Sequence, residues 1–190
     1  MTLRHLITFI LGLVAGTVMA IALAFSPGEI GGVHNGAWVS NPNIGSPDAN
    51  PLVRSLVARR GLLALSREEA VYFTATRDSE GHNLTERCRY EVIGDMPPTR
   101  WWSLTIYDED SFLPRNSRDR HAVSQTTART DATGRVIIPV GQDEPGAIVT
   151  ENAGLFSLTL RLYHPDPAVL DALDTLTFPR IEPVSCGGET

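Results

Sequence analysis

The segment RWWSLTIYDED, residues 100–110, decides the class of fold. Apolar and polar residues alternate through it, so that Trp102, Leu104 and Ile106 share one parity and Trp101 has the other. Because successive side chains of a β-strand point to opposite faces, this alternation predicts a half-buried strand with Trp102 in the core. The two adjacent tryptophans then face opposite ways and cannot form one stacking platform. Trp101 either stacks on a ligand or is covered by a loop or a partner.

The same period of two recurs in other segments separated by turn residues. Apolar positions of equal parity occur in four further runs: Val71, Phe73 and Ala75; Cys88, Tyr90 and Val92; Val136, Ile138 and Val140; and Phe156, Leu158, Leu160 and Leu162. Half-buried strands at this spacing are typical of an antiparallel β-sandwich or jelly roll. Two short helices are also predicted, one over 51–61 with Asn50 as its N-cap and one over 167–174.

The N-terminus predicts a membrane segment. Residues 6–25 are uncharged and mostly apolar, and they are long enough to cross the hydrocarbon core of a bilayer. Arg4 precedes them, so residues 1–5 should stay in the cytoplasm, residues 26–35 should form a linker, and residues 36–190 should form an exported β-sandwich domain. Membrane lipid is the partner expected for the apolar segment. The alternative is a cleaved signal peptide, since alanines at 20, 22 and 24 fit a cleavage site.

The charge of the chain excludes one class of partner. The formal net charge is −6, and no run of basic residues occurs. Nucleic-acid-binding domains are usually basic, so no nucleic-acid partner is expected.

The chain contains two cysteines, Cys88 and Cys186. In an oxidising compartment an even number of cysteines suggests a disulfide, which would tie the C-terminal tail back to the sheet. The other interpretation is that the two cysteines remain unrelated thiols, one buried and one exposed.

Three blocks carry a resemblance to a known family. They are NPLVRSLVARRGLLALSREEAVYFTATRDSEGHNL, RWWSLTIYDEDSFLPRN and FSLTLRLYHPDP, and they occur in the family's order over about residues 36–182. The chain thereby resembles the family of domains of unknown function 1214, DUF1214, whose frequent companion domain, numbered 1254, is absent here. The resemblance implies a double-sheet, jelly-roll-like fold and no established activity. The family and the anchor are both typical of bacteria, so the location expected from the apolar segment is the inner membrane, with a single-pass anchor and the C-terminal domain in the periplasm.

Motifs that would name a reaction do not occur, so the catalytic residues stay unknown. The five histidines show no metal-ligand spacing, and neither a nucleophile elbow nor a phosphate loop is present. Asp108, Glu109 and Asp110 could supply oxygens to calcium, but a charged hairpin tip fits them better because no ligand loop marked by glycine follows. Neither a metal nor a cofactor is predicted.

One polar constellation suggests a ligand surface. The segments SLTIYD and SLTLRLY are near-repeats, and their polar faces carry Tyr107 in the first, and Arg161 and Tyr163 in the second. If the two strands are neighbours, Arg161 lies among hydroxyl groups and near Asp108. Trp101, and Arg54 of the first short helix, could join these residues in an anion or sugar site. The candidate ligand-binding residues are Arg54, Trp101, Tyr107, Arg161 and Tyr163. The alternative is a structural salt bridge on a sheet face that the helix covers.

Two functions follow from these observations. The first is a non-catalytic binding or assembly module whose partner is an envelope protein or a carbohydrate. The second is a carbohydrate-active hydrolase with its site on the Tyr107/Arg161 sheet face. The missing catalytic motifs favour a non-enzyme, whereas a pocket with two carboxylates about 5–10 Å apart would favour the hydrolase.

Overall fold

The computed structural model describes residues 2–25, 32–59, 64–141 and 146–187. In chain order its elements are α1 (Leu3–Ala24), β1 (Val33–Asn35), β2 (Trp38–Ser40), α2 (Pro51–Arg59), β3 (Ala70–Ala75), β4 (Cys88–Gly94), β5 (Thr99–Asp108), β6 (Ala122–Ser124), β7 (Arg129–Thr130), β8 (Val136–Val140), β9 (Phe156–Pro165), α3 (Pro167–Asp171) and β10 (Arg180–Cys186).

The strands form two antiparallel sheets. One has six strands in the order β1-β2-β3-β9-β5-β6, and the other has four in the order β10-β4-β8-β7. Both sheets contribute to one hydrophobic core, in which the Tyr90 ring of β4 meets the Phe156 ring of β9 edge-on at 6.0 Å. The predicted fold class, a mainly β protein with antiparallel sheets and short helices after an apolar N-terminal helix, is confirmed.

The phase predicted for the RWWSLTIYDED strand is also correct. Trp102 is 5% exposed, and Leu104 and Ile106 are fully buried, whereas Trp101 is 37% exposed. The apolar positions of the four other alternating runs are buried in the same way. Local alternation is therefore sufficient to determine which face of each strand packs into the core.

The short helices begin where the sequence predicts. Asn50 Oδ1 accepts the backbone N–H groups of Leu52 and Val53, each at 3.0 Å, and so caps α2. The helix is described as far as Arg59, and the rest of the predicted span lies outside the described residues. α3 ends at Asp171, earlier than predicted.

The N-terminal segment is helical over nearly the predicted range. Leu3–Leu23 has a mean hydropathy of 2.5 and is not buried against the rest of the protein. The sheet then begins at Val33, inside the interval predicted as linker, because β1 and β2 form a hairpin that pairs with β3. Trp38 explains this early start: it is 1% exposed, and its indole N–H donates to the Pro179 carbonyl at 2.8 Å. Residues 26–31 lie outside the described residues.

The two cysteines form a disulfide. Cys88 and Cys186 are directly opposite each other on β4 and β10, with their Cα atoms 3.9 Å apart. The C-terminal tail also has more support than its composition suggests. β10 pairs with β4 along its length, and Ile181 is fully buried.

Candidate functional site

The two near-repeat segments lie on neighbouring strands, β5 and β9. Their register places Ser103 opposite Arg161, Trp101 opposite Tyr163, and Thr105 opposite Thr159. On the other side of β9, β3 places Tyr72 opposite Arg161. Three central strands therefore bring their polar faces together around Arg161, on the side of the six-stranded sheet away from the core.

Hydroxyl groups and aromatic rings surround the Arg161 guanidinium. Its Nη1 donates to Thr105 Oγ1 at 3.1 Å, and its Nη2 donates to Tyr107 Oη at 2.6 Å. Its Cζ lies 5.5 Å from the centroid of the Tyr107 ring and 5.9 Å from that of Tyr72, within the range of cation–π attraction. These contacts hold the half-buried guanidinium in a fixed position.

The charge of Arg161 meets only neutral groups among the described residues. No carboxylate forms an ion pair or a hydrogen bond with it there. The outward positions of the three strands contain no acidic residue: Tyr72, Thr74, Trp101, Ser103, Thr105, Tyr107, Ser157, Thr159, Arg161 and Tyr163. The structural salt bridge considered from the sequence is thus not formed within the described part of the chain.

Asp108 does not join this cluster. Its Oδ1 accepts the backbone N–H groups of Asp110 and Phe112, at 3.1 and 2.8 Å. The carboxylate therefore organises the turn after β5, which agrees with a hairpin tip.

Small hydroxyl residues form the floor of the face. Ser103, Thr105 and Thr159 are each less than 10% exposed, although they lie on the outward side. Thr159 Oγ1 and Thr74 Oγ1 are 3.2 Å apart and share a hydrogen bond. The Ser103 hydroxyl forms no hydrogen bond with another described residue. The small residues leave the larger aromatic side chains and Arg161 to form the walls.

An aromatic pair lies further along the same sheet face, at the Trp101 end of β5. The Trp101 and Tyr163 rings have centroids 5.2 Å apart and are tilted by 47°. Tyr163 is half-buried, so the pair presents the Trp101 ring to solvent. Trp101 is therefore supported by a neighbour but not covered by a loop of the described chain.

Arg54 lies outside the cluster. Its Nε donates to the Ala49 carbonyl at 2.9 Å and its Nη2 to the Pro47 carbonyl at 2.5 Å. Arg54 thus binds the loop before its own helix, and none of its hydrogen bonds with described residues reaches Arg161.

Tyr72 belongs to a strand that the sequence did not connect with the candidate site. Its parity, opposite to that of Val71 and Phe73, was a usable signal for an outward position. The register of β3 against β9 was needed to place it beside Arg161.

A concavity lies on the other sheet, beside the disulfide. It has a volume of about 360 Å³ and is lined by Glu86, Arg87, Arg89, Ser185, Cys186 and Gly187. Its position on β4 and β10 separates it from the Arg161 cluster.

Comparison with known proteins gives the family. The family model described as protein of unknown function, DUF1214, matches residues 69–167, more than half of the chain. The chain belongs to the DUF1214 family. The matched range of this DUF1214 domain contains the whole Arg161 cluster but neither Arg54 nor Cys186.

The solved structure of a similar protein agrees with this fold. The VPA0106 protein from Vibrio parahaemolyticus is 25% identical, with a TM-score of 0.59, and the match covers 73% of this chain and 36% of that one. An uncharacterized protein from Burkholderia cenocepacia is 15% identical, with a TM-score of 0.41 and coverage of 64% and 31%. The chain thus spans about a third of the length of these two structures. No curated protein matches it.

Proposed function

We propose that this chain is a non-catalytic binding module of the bacterial envelope, anchored in the inner membrane with its sheets in the periplasm. Its ligand surface is the Arg161 face, defined as Tyr72, Trp101, Ser103, Thr105, Tyr107, Arg161 and Tyr163. The observation that carries the proposal is a half-buried guanidinium, held by two hydroxyl groups and two rings, with no acidic partner among the described residues.

The location rests on three observations. α1 is long and apolar enough to span a bilayer, and Arg4 stands at its N-terminal end. The disulfide fits an oxidising compartment. Seven peptide steps join Phe25 to Gly32, and fully extended they span about 25 Å. If the helix is retained, the first strand therefore begins near the membrane surface.

The composition of the face favours binding over hydrolysis. Glycoside hydrolysis commonly requires two carboxyl groups on either side of the scissile bond. The outward positions of β3, β5 and β9 supply none. They supply a charge-bearing hydrogen-bond donor, hydroxyl groups and flat rings, which orient a ligand without activating water.

The location is tested by fractionating cells that express the full chain. We expect the protein to stay in the membrane after carbonate washing, and protease to digest the sheets once the outer membrane is opened. Release of a shortened chain into the periplasm would support the signal-peptide alternative instead, and recovery of the whole chain in the cytosol would refute export.

The ligand surface is tested with the full chain in detergent micelles and a mixture of saccharide fragments from bacterial envelopes. Arg161→Gln should abolish binding of the saccharide fragments that the unmodified protein retains. Arg129→Gln is the matched control, because it removes the same charge from an exposed position on the other sheet. Equal retention by both variants would refute the assigned face.

A further inference from the structure

We infer that the ligand of the Arg161 face is an acidic saccharide, that is, an oligosaccharide whose pyranose rings carry carboxylates. This inference rests on the proposed function and specifies the chemistry of that surface. It combines two features of one sheet face, a fixed guanidinium and an exposed aromatic ring.

The guanidinium selects an anion. Two of its N–H groups are used by Thr105 and Tyr107, which leaves further donors of the planar fork to meet a ligand. A carboxylate matches this fork in shape and balances its single charge. A phosphate dianion would bring more charge than one guanidinium balances, and the outward positions of the three strands hold no second cation.

The Trp101 ring selects a flat apolar surface. It is 37% exposed and supported from one side by Tyr163 at 5.2 Å. The face of an indole ring carries negative charge density, which attracts the weakly positive C–H face of a pyranose. A ring stacked there keeps its hydroxyl groups free to bind the polar floor.

The two features are spaced along one strand face. The guanidinium donates to Thr105 and Tyr107, and Thr105 is four residues from Trp101, which corresponds to about 13 Å. A saccharide with one ring stacked on Trp101 therefore reaches the guanidinium with the carboxylate of another ring along its chain.

Ser103 lies between the two features on the same strand face. Among the described residues its hydroxyl forms no side-chain hydrogen bond, and its oxygen is not one of the buried unpaired atoms, which are Ser40 Oγ and Thr150 Oγ1. The Ser103 hydroxyl is therefore available to a sugar that lies between Trp101 and the guanidinium.

The test is calorimetric titration of the full chain in detergent with oligogalacturonate, with the neutral galactose oligomer of equal length, and with acetate. We expect oligogalacturonate to bind at least roughly tenfold more tightly than the neutral oligomer, as a charge-assisted contact predicts. Acetate should bind only weakly, because it lacks the ring. This comparison on the unmodified protein does not depend on whether any variant folds.

Variants then assign the contacts. Arg161→Gln should remove the preference for the acidic oligomer, and Arg161→Lys should restore part of it. Trp101→Ala should weaken the acidic and the neutral oligomer by the same factor, and Arg129→Gln should change neither. Near-ultraviolet circular dichroism checks that each variant is folded.

The outcomes separate the two proposals. Binding of inorganic phosphate or acetate as tight as that of oligogalacturonate, and sensitive to Arg161→Gln, would keep the Arg161 face as the ligand surface and overturn the acidic saccharide. Equal binding of the acidic and neutral oligomers would also overturn it. If saccharides bind but neither the Arg161 variants nor the Trp101 variant changes their affinity, the Arg161 face is not the ligand surface.

Discussion

Removal of the Cys88–Cys186 disulfide should lower the free energy of unfolding more than any other substitution at an exposed position of this protein. The bond joins residues separated by 98 positions. In the chain-entropy description, closing a loop of this length restricts the unfolded chain by about 4.7 kcal/mol at 25 °C. Whole domains are stable by only about 5–15 kcal/mol, so the loss is a large fraction of the total.

Cys186→Ala is the appropriate change, because Cys186 is exposed and its loss disturbs little packing. Cys88 is 8% exposed, so Cys88→Ala should cost slightly more through lost packing around the sulfur. The double variant should be no less stable than Cys88→Ala. The unmodified protein in a reducing agent should match Cys186→Ala.

The measurement is equilibrium unfolding of the full chain in detergent with guanidinium chloride, followed by tryptophan fluorescence. Trp38 and Trp102 are buried and report loss of the core. Strictly additive losses for the two cysteines, or a loss below about 1 kcal/mol for Cys186→Ala, would refute the cross-link as the source of stability.

Two further predictions concern the core phase and pH. Trp102→Ala should lower the free energy of unfolding by about 3–5 kcal/mol, whereas Trp101→Ala should lower it by about 1 kcal/mol; equal shifts in urea unfolding would contradict the strand phase. The backbone N–H and hydroxyl of Ser117 hold the pKa of Glu151 below its ordinary value of 4.5. The stability that Glu151 contributes is therefore present above pH 4.5 and lost as the pH falls through the lower folded pKa. The difference in Tm between the unmodified protein and Glu151→Gln should shrink below pH 4.5, and a constant difference down to pH 3 would rule this out.

The sequence by itself determined the local features. The faces of the strands follow from parity, because the strand backbone sends successive side chains to opposite sides. The start of α2 follows from the oxygen of Asn50, which lies next to the N–H groups that it caps. The apolar N-terminal helix follows from composition alone.

Only the tertiary structure decided which strands are neighbours and in what register. Parity places Tyr72 and Arg161 on outward faces, but the pairing of β3 with β9 makes them adjacent. The same long-range pairing brings Cys186 to Cys88, while local bonds direct Arg54 to Ala49 and Asp108 to its own turn. Side-chain parity is fixed by covalent geometry within a few residues, whereas register depends on the free energy of packing residues far apart in sequence.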